Sequence, residues 1–303
     1  MGAGQGKEHA LAAYADRYWW SQDNLRLHYR DYAGRDDDRP PILCIPGLTR
    51  NARDFEPVAD RLAGDWRVIC VELRGRGESA YDKNPMNYVP LVYLQDLIGL
   101  LDELKLPQFV GIGTSLGGIM LMLLATARSP QMAGALLNDI GPDIAPAGLE
   151  RIRTSVGTSG PQPTWVHAAR TLAEIQGLIY PDWQLQDWLR QAKRLYRLTS
   201  QGRMVLDYDQ RIAEPFRVPG SEVGVNLWPA FEAMADMPLA LVRGELSDLL
   251  SPETASAMQA KVPAMDFALV SSVGHAPTLE EPEAVAAIDR LLAKVLARVP
   301  AVS

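Results

Sequence analysis

FVGIGTSLGGIM, residues 109–120, is the stretch on which the fold turns. An apolar run ends at Gly113-Thr114-Ser115-Leu116-Gly117, and a second apolar stretch of helical character follows. This is G-x-S-x-G in the strand–turn–helix setting the pattern requires. The spacing has a physical reason. A sharp turn holds Ser115 in a strained conformation with its hydroxyl projecting from the top of the sheet, and Gly113 and Gly117 lack the Cβ atoms that would keep strand and helix apart. The helix N-terminus beyond Ser115 offers N–H groups and positive dipole character where negative charge would develop. Gly111 and Gly113 imitate the start of a dinucleotide fingerprint, but Leu116 stands where its third glycine is needed.

Working outward, the runs ILCIPG (42–47), RVICVEL (67–73), GALLNDIG (134–141), LALVRGE (239–245) and FALVSSVG (267–274) resemble FVGIGT (109–114) in composition. Continuous apolar runs bounded by Gly and Pro are what parallel strands buried on both faces look like. Helical patterns fall between them at Ala52–Ala63, Leu91–Leu104, Leu116–Ala127, Pro252–Val262 and Pro282–Val299. The alternation predicts an α/β fold with a parallel sheet covered on both faces. Residues 17–34 read as an antiparallel hairpin turning at Ser21-Gln22-Asp23-Asn24, and residues 1–16 as a loose start or short helix. From Pro142 to Pro229 no strand-like run occurs; aromatic-rich helical segments suggest an insertion over one edge of the sheet. Most of its aromatics are expected to form its own core, with Trp165, Trp183 and Trp188 as candidates to face a ligand cavity between the two parts.

The chain has 303 residues, long enough to bury a large core without disulfide or metal staples. Its hydrophobic content of 47% and charged content of 22% exclude wholesale disorder. The net charge of −7 and the absence of any Lys/Arg cluster argue against a nucleic-acid partner. No apolar run reaches the length of a membrane span, and the first twenty residues lack the apolar segment of a secretory signal. Gly6 breaks the N-myristoylation pattern. Cys44 and Cys70 lie in apolar runs and read as buried free thiols in a reducing, cytoplasmic compartment. No H-E-x-x-H, C-x-x-C or His/Cys cluster exists, so neither metal nor other cofactor is expected.

With these motifs in hand, the chain resembles the α/β-hydrolase superfamily in its branch with a helical cap, over about residues 17–299. The resemblance implies a mostly parallel eight-stranded sheet flanked by helices, with core at 1–141 and 231–303 and cap at 142–230. It also implies an acid and a histidine after two later strands, in the order Ser, Asp/Glu, His. Gly274-His275 after the last strand matches the family's histidine motif. Of the four histidines, only His275 follows a core strand; His9 is terminal, His28 lies in the hairpin and His167 in the cap. Asp248, in the loop after LALVRGE, is the expected acid; Asp139, at the end of the preceding core strand, is its rival. The oxyanion hole is expected at the backbone N–H groups of Leu116 and Leu48. Here Pro46-Gly47 replaces the family's common His-Gly, which leaves the side-chain support of that loop open. VELRGRGES (71–79) resembles the family's D-x-R-G-x-G-x-S loop with Glu72 for Asp, a structural landmark. Arg50 is a candidate to meet a substrate carboxylate.

The chemistry needs these groups together. A serine hydroxyl becomes a useful nucleophile when a base takes its proton, and a carboxylate then holds the base and stabilises its charged form. Activity is therefore expected to fall at acid pH as His275 gains a proton. A serine at the elbow disfavours the branches that use aspartate there. The expectation is a carboxylesterase cleaving a small or medium, largely apolar ester. Lactone or C–C bond hydrolysis on the same triad, peroxide-dependent chemistry, and a ligand-binding receptor on a hydrolase scaffold are the alternatives.

Overall fold

The computed structural model describes residues 13–218 and 226–298. Ten strands and nine helices follow one another among the described residues. The chain opens with the hairpin β1 (Tyr14–Trp20) and β2 (Arg26–Tyr32), then β3 (Ile42–Ile45), α1 (Glu56–Leu62) and β4 (Val68–Glu72). Next come α2 (Pro90–Leu104), β5 (Phe109–Thr114), α3 (Leu116–Arg128) and β6 (Met132–Asn138). An insertion carries α4 (Pro146–Ser155), α5 (Trp165–Gln176), α6 (Leu185–Leu195), β7 (Tyr196–Leu198) and β8 (Met204–Leu206). The chain then returns through α7 (Trp228–Glu232), β9 (Leu239–Gly244), α8 (Pro252–Lys261), β10 (Asp266–Val270) and α9 (Pro282–Leu296).

Eight strands form one sheet in the order β1-β2-β4-β3-β5-β6-β9-β10. The β1–β2 and β2–β4 pairs are antiparallel and all others parallel. This is the α/β-hydrolase architecture the resemblance implies. β3, β4 and β9 are buried at every position, which is why they read as unbroken apolar runs. Two apolar layers flank the sheet. One packs residues such as Leu97, Leu121 and Met258 against it, the other Phe55, Val58, Ile288 and Leu291. β10 is not buried throughout, because it is an edge strand, and its Leu269 is exposed.

The insertion departs from its reading in one element and carries the core expected of it. It contains a short antiparallel hairpin, β7–β8, whose three-residue strands are too brief to show a period. Its own apolar cluster spans Trp165 to Leu206. Helix α7 straddles the expected boundary at 230/231, and its Phe231 packs into the core cluster beside α3. Of the N-terminal segment read as a loose start, residues 14–16 already belong to β1, and residues 1–12 lie outside the described ones, as does His9. Cys44 and Cys70 are buried thiols side by side on adjacent strands. No described helix is long and apolar enough to cross a membrane.

Candidate active site

Ser115 sits between β5 and α3 with φ 53° and ψ −115°, outside the regions an L-residue prefers. Such strain costs on the order of 1–3 kcal/mol and persists only where surroundings enforce it. The enforcement here is local. The Ser115 N–H donates to Asn138 O at 3.0 Å, and α3 begins at the next residue. Helix and strand approach so closely that a Cβ on Gly113 would lie 2.5 Å from the Gly117 backbone. One on Gly117 would lie 1.9 Å from Ile45 O.

The loop after β10 brings His275 to this serine: Nε2 lies 2.9 Å from Ser115 Oγ. Its other nitrogen, Nδ1, lies 2.8 Å from Asp139 Oδ2. With the Nδ1 proton directed at that carboxylate, Nε2 is left to accept from the serine hydroxyl. Asp139 follows β6, is fully buried and has φ 56°. Its carboxyl group accepts two further hydrogen bonds, from the Gly244 N–H to Oδ1 at 2.9 Å and from Ser247 Oγ to Oδ2 at 2.6 Å.

The expected acid is thereby corrected. Asp248 does not hydrogen-bond to His275; Arg151 of α4 grips it bidentately, Nε and Nη2 donating to its two oxygens at 2.6 and 2.8 Å. That arginine holds the Asp248 carboxyl below the usual carboxylate range. The physical reason lies in the β9 loop. Ser247 and the Gly244 N–H turn toward Asp139, while Asp248 points to the cap, where Gly148 lets α4 approach so closely that a Cβ there would lie 2.6 Å from Asp248 O.

Leu116 opens α3, so its N–H has no helical acceptor. Leu48 lines the cavity, and among the described residues its N–H makes no hydrogen bond. The support this loop seemed to lack comes from Arg76, which is fully buried. Its Nε donates to Leu48 O at 2.8 Å and its Nη1 to Arg74 O and the Tyr93 hydroxyl. Nothing in RGRGES marks Arg76 as different from Arg74; the distinction is in the contacts, since Arg74 meets Asp23, Asp82 and Asp96. Glu72 accepts from the Ala52 and Glu78 N–H groups and pairs with His28. Its extra methylene has room only because position 77 is glycine: a Cβ there would lie 2.2 Å from the Glu72 carboxyl group. Asn138 is a second residue that sequence reasoning passed over. Its Nδ2 donates to Thr114 Oγ1 and Pro277 O, tying the serine strand to the histidine loop.

Ser115 and His275 open into a cavity of about 140 Å³ between sheet and insertion. Three arginines line it: Arg50, Arg151 and Arg194. A second cavity of about 90 Å³ shares Thr49, Arg50, Ser155, Val156 and Gln176 with the first. The expected tryptophans line neither. Trp183 stacks on Tyr180 with ring centroids 3.8 Å apart, Trp188 meets both edge-on, and Trp165 packs on the same cluster. They fill the insertion's own core, because two or three aromatics gain more from each other than from a wet cavity wall. Only Tyr180 of these four aromatics reaches the cavity, its hydroxyl donating to Ala276 O at 2.7 Å. Burial pushes that phenol well above its usual range. His167 hydrogen-bonds Thr164 and lines neither cavity.

The chain is similar to several known proteins over most of its length. A hydrolase named 3-hydroxybutyrate-oligomer hydrolase, from Cupriavidus necator, is 34% identical over 269 residues, 86% of this chain and 90% of that protein. The 2-(acetamidomethylene)succinate hydrolase of Mesorhizobium japonicum is 26% identical over 245 residues, 80% of this chain and 84% of its own. A crystal structure of an alpha/beta hydrolase from Novosphingobium aromaticivorans superposes with a TM-score of 0.90 at 55% identity, covering 94% of this chain and 100% of that one. The profile of the alpha/beta hydrolase family matches residues 42–288. The chain belongs to that family and is a hydrolase.

Proposed function

We propose that this protein hydrolyses carboxylic esters through an acyl-enzyme on Ser115, with His275 as general base and acid and Asp139 as its partner. Ser115 Oγ attacks the acyl carbon while Nε2 of His275 takes the hydroxyl proton. The carbonyl oxygen becomes an oxyanion and accepts from the N–H groups of Leu48 and Leu116. The C–O bond to the leaving alcohol breaks, and Nε2 returns the proton to that oxygen. A water molecule, deprotonated by the same nitrogen, then attacks the acyl carbon, and Ser115 departs with the proton. Asp139 keeps the imidazole in the working tautomer and stabilises its cation.

The observation that carries this reading is the chain of two hydrogen bonds, 2.9 and 2.8 Å, from Ser115 through His275 to a buried carboxylate. The substrate class is shifted from the largely apolar ester of the sequence reading. The cavity wall includes Arg50, Asp54, Arg151, Gln176 and Arg194, which suits a polar ester. The 34% identity to a 3-hydroxybutyrate-oligomer hydrolase supports short esters of hydroxy acids in particular. The two buried thiols are consistent with the reducing, cytoplasmic setting expected of the sequence.

The test is Ser115→Ala assayed on p-nitrophenyl butyrate and on the linear dimer of 3-hydroxybutyrate. The variant should keep its thermal midpoint and lose roughly 10⁴-fold or more in kcat. Turnover that survives the substitution would contradict the proposal.

A further inference from the structure

Arg50 is out of the ordinary among the cationic side chains around the serine. Its side chain is only 19% exposed, yet among the described residues it makes no side-chain hydrogen bond. Its one ion contact, Nε to Asp54 Oδ2, is long at 3.7 Å. A guanidinium carries five donors in a planar fork, and those of Arg50 face the cavity with no hydrogen bond from protein, open to an acceptor that enters it. The other two arginines are engaged. Arg151 is held bidentately by Asp248, and Arg194 donates to Glu280 at 3.0 Å. Arg50 is also the one of the three that lines both cavities, so it stands where they join. Gln176, whose Oε1 is buried without a partner, also lines both cavities. Gly47 lies between Arg50 and the serine. A methyl group at that glycine would lie 3.4 Å from Arg50 Cγ and 3.6 Å from Ser115 Cβ, so the two side chains flank a single methyl-sized gap.

We infer that Arg50 forms a carboxylate subsite and selects substrates bearing a free carboxylate a few bonds from the scissile carbonyl. The inference rests on the ester-hydrolase reading above and names the substrate feature that reading leaves open. A carboxylate offers the planar, paired acceptors that a guanidinium fork matches. A carboxylate at the junction of the cavities anchors one end of a hydroxy-acid ester, with the scissile carbonyl at Ser115. A neutral ester of the same length leaves the Arg50 donors unmet, which is a discriminating penalty of the kind that polar sites impose on analogues lacking a group.

The experiment compares the linear 3-hydroxybutyrate dimer as free acid and as methyl ester. Both are assayed with the wild-type protein, Arg50→Gln and Arg50→Lys. Wild type should favour the free acid in kcat/KM by about ten- to a hundred-fold, the range of one charge-assisted hydrogen-bonding contact. Arg50→Gln should bring that ratio close to one, chiefly through KM for the acid, and Arg50→Lys should restore part of it. Binding is read separately, as the thermal shift produced by 3-hydroxybutyrate and by its methyl ester. Wild type should be stabilised by the acid and Arg50→Gln should not. A wild-type ratio near one, or a preference for the acid that survives Arg50→Gln, overturns the carboxylate subsite while Ser115-dependent turnover of the methyl ester keeps the hydrolase reading intact. Absence of turnover of both esters and of p-nitrophenyl butyrate defeats the ester-hydrolase reading. The thermal shifts then decide the subsite alone: an acid-specific shift lost in Arg50→Gln supports it, and equal shifts in both proteins overturn it.

Discussion

Two neighbouring strands each deliver an aspartate to the mouth of the site, and the two ends of chain could hardly differ more. Asp139, after β6, is wholly enclosed and receives a backbone N–H, a serine hydroxyl and an imidazole N–H. Asp248, after β9, has a side chain 36% exposed and is satisfied by one arginine from the insertion. A buried carboxylate stays charged only where several donors converge on it, whereas a half-exposed one is content with whichever cation is near. Position after a core strand is therefore not enough to identify the partner of the histidine. What decides is which carboxylate the neighbouring strand ends are built to receive, and both Gly244 and Ser247 face Asp139.

A second pairing makes the same point about histidines. His28 is buried in the sheet, with Nδ1 2.9 Å from Glu72 and Nε2 2.9 Å from Asp16. His275 has a carboxylate on one nitrogen and a hydroxyl on the other. Burial alone would lower the pKa of His28, but the hydrogen bond and charge of Glu72, aided by Asp16, raise it. A histidine between two acids has its charged form favoured on both sides; one between an acid and a hydroxyl has a nucleophile's oxygen on its free nitrogen.

The sharpest break of the first contrast is Asp139→Asn. It should lower kcat/KM on a hydroxy-acid ester by about 10³- to 10⁴-fold, because the amide no longer holds the working tautomer of His275. Asp248→Asn should cost less than about fivefold on the same assay. Its effect on stability should stay within about 1 kcal/mol, the ordinary range for an ion pair this exposed. The sign with pH follows from the depressed carboxyl. The stabilising contribution is present above 3.8, the unperturbed value, and fades as pH falls through the lower folded value. The thermal midpoints of wild type and Asp248→Asn should therefore converge at strongly acid pH. The smallest effect concerns the two histidines. The raised pKa of His28 gives stability that is complete below 6.5 and lost as pH rises through the folded value. A denaturation series from pH 5 to 9 should show that decline in wild type, and His28→Gln should flatten it.

Much of this was legible in the residues because it is local. The elbow at Ser115, the buried runs of β3, β4 and β9, the hairpin around Ser21–Asn24 and the placement of His275 each follow from short patterns. What sequence reasoning missed depends on contacts between distant segments. Asp139 prevails over Asp248 through a donor 105 residues away. Arg76 holds the loop at Leu48 across 28 residues, and no motif separates it from Arg74. Trp183 and Trp188 carry the composition of a pocket wall, but Trp183 stacks on Tyr180 and Trp188 meets it edge-on instead. Strands of three residues, as in β7 and β8, are too short for any period to show.

The most direct test is the rate at which an aryl phosphonate ester labels the protein, followed by intact mass and peptide mapping. Wild type and Asp248→Asn should be labelled at similar rates, on Ser115 alone, with labelling slowed about a thousandfold or more in Asp139→Asn. Label on any other residue, or a rate that collapses in Asp248→Asn and persists in Asp139→Asn, would contradict the assignment of Ser115, His275 and Asp139 as the catalytic unit.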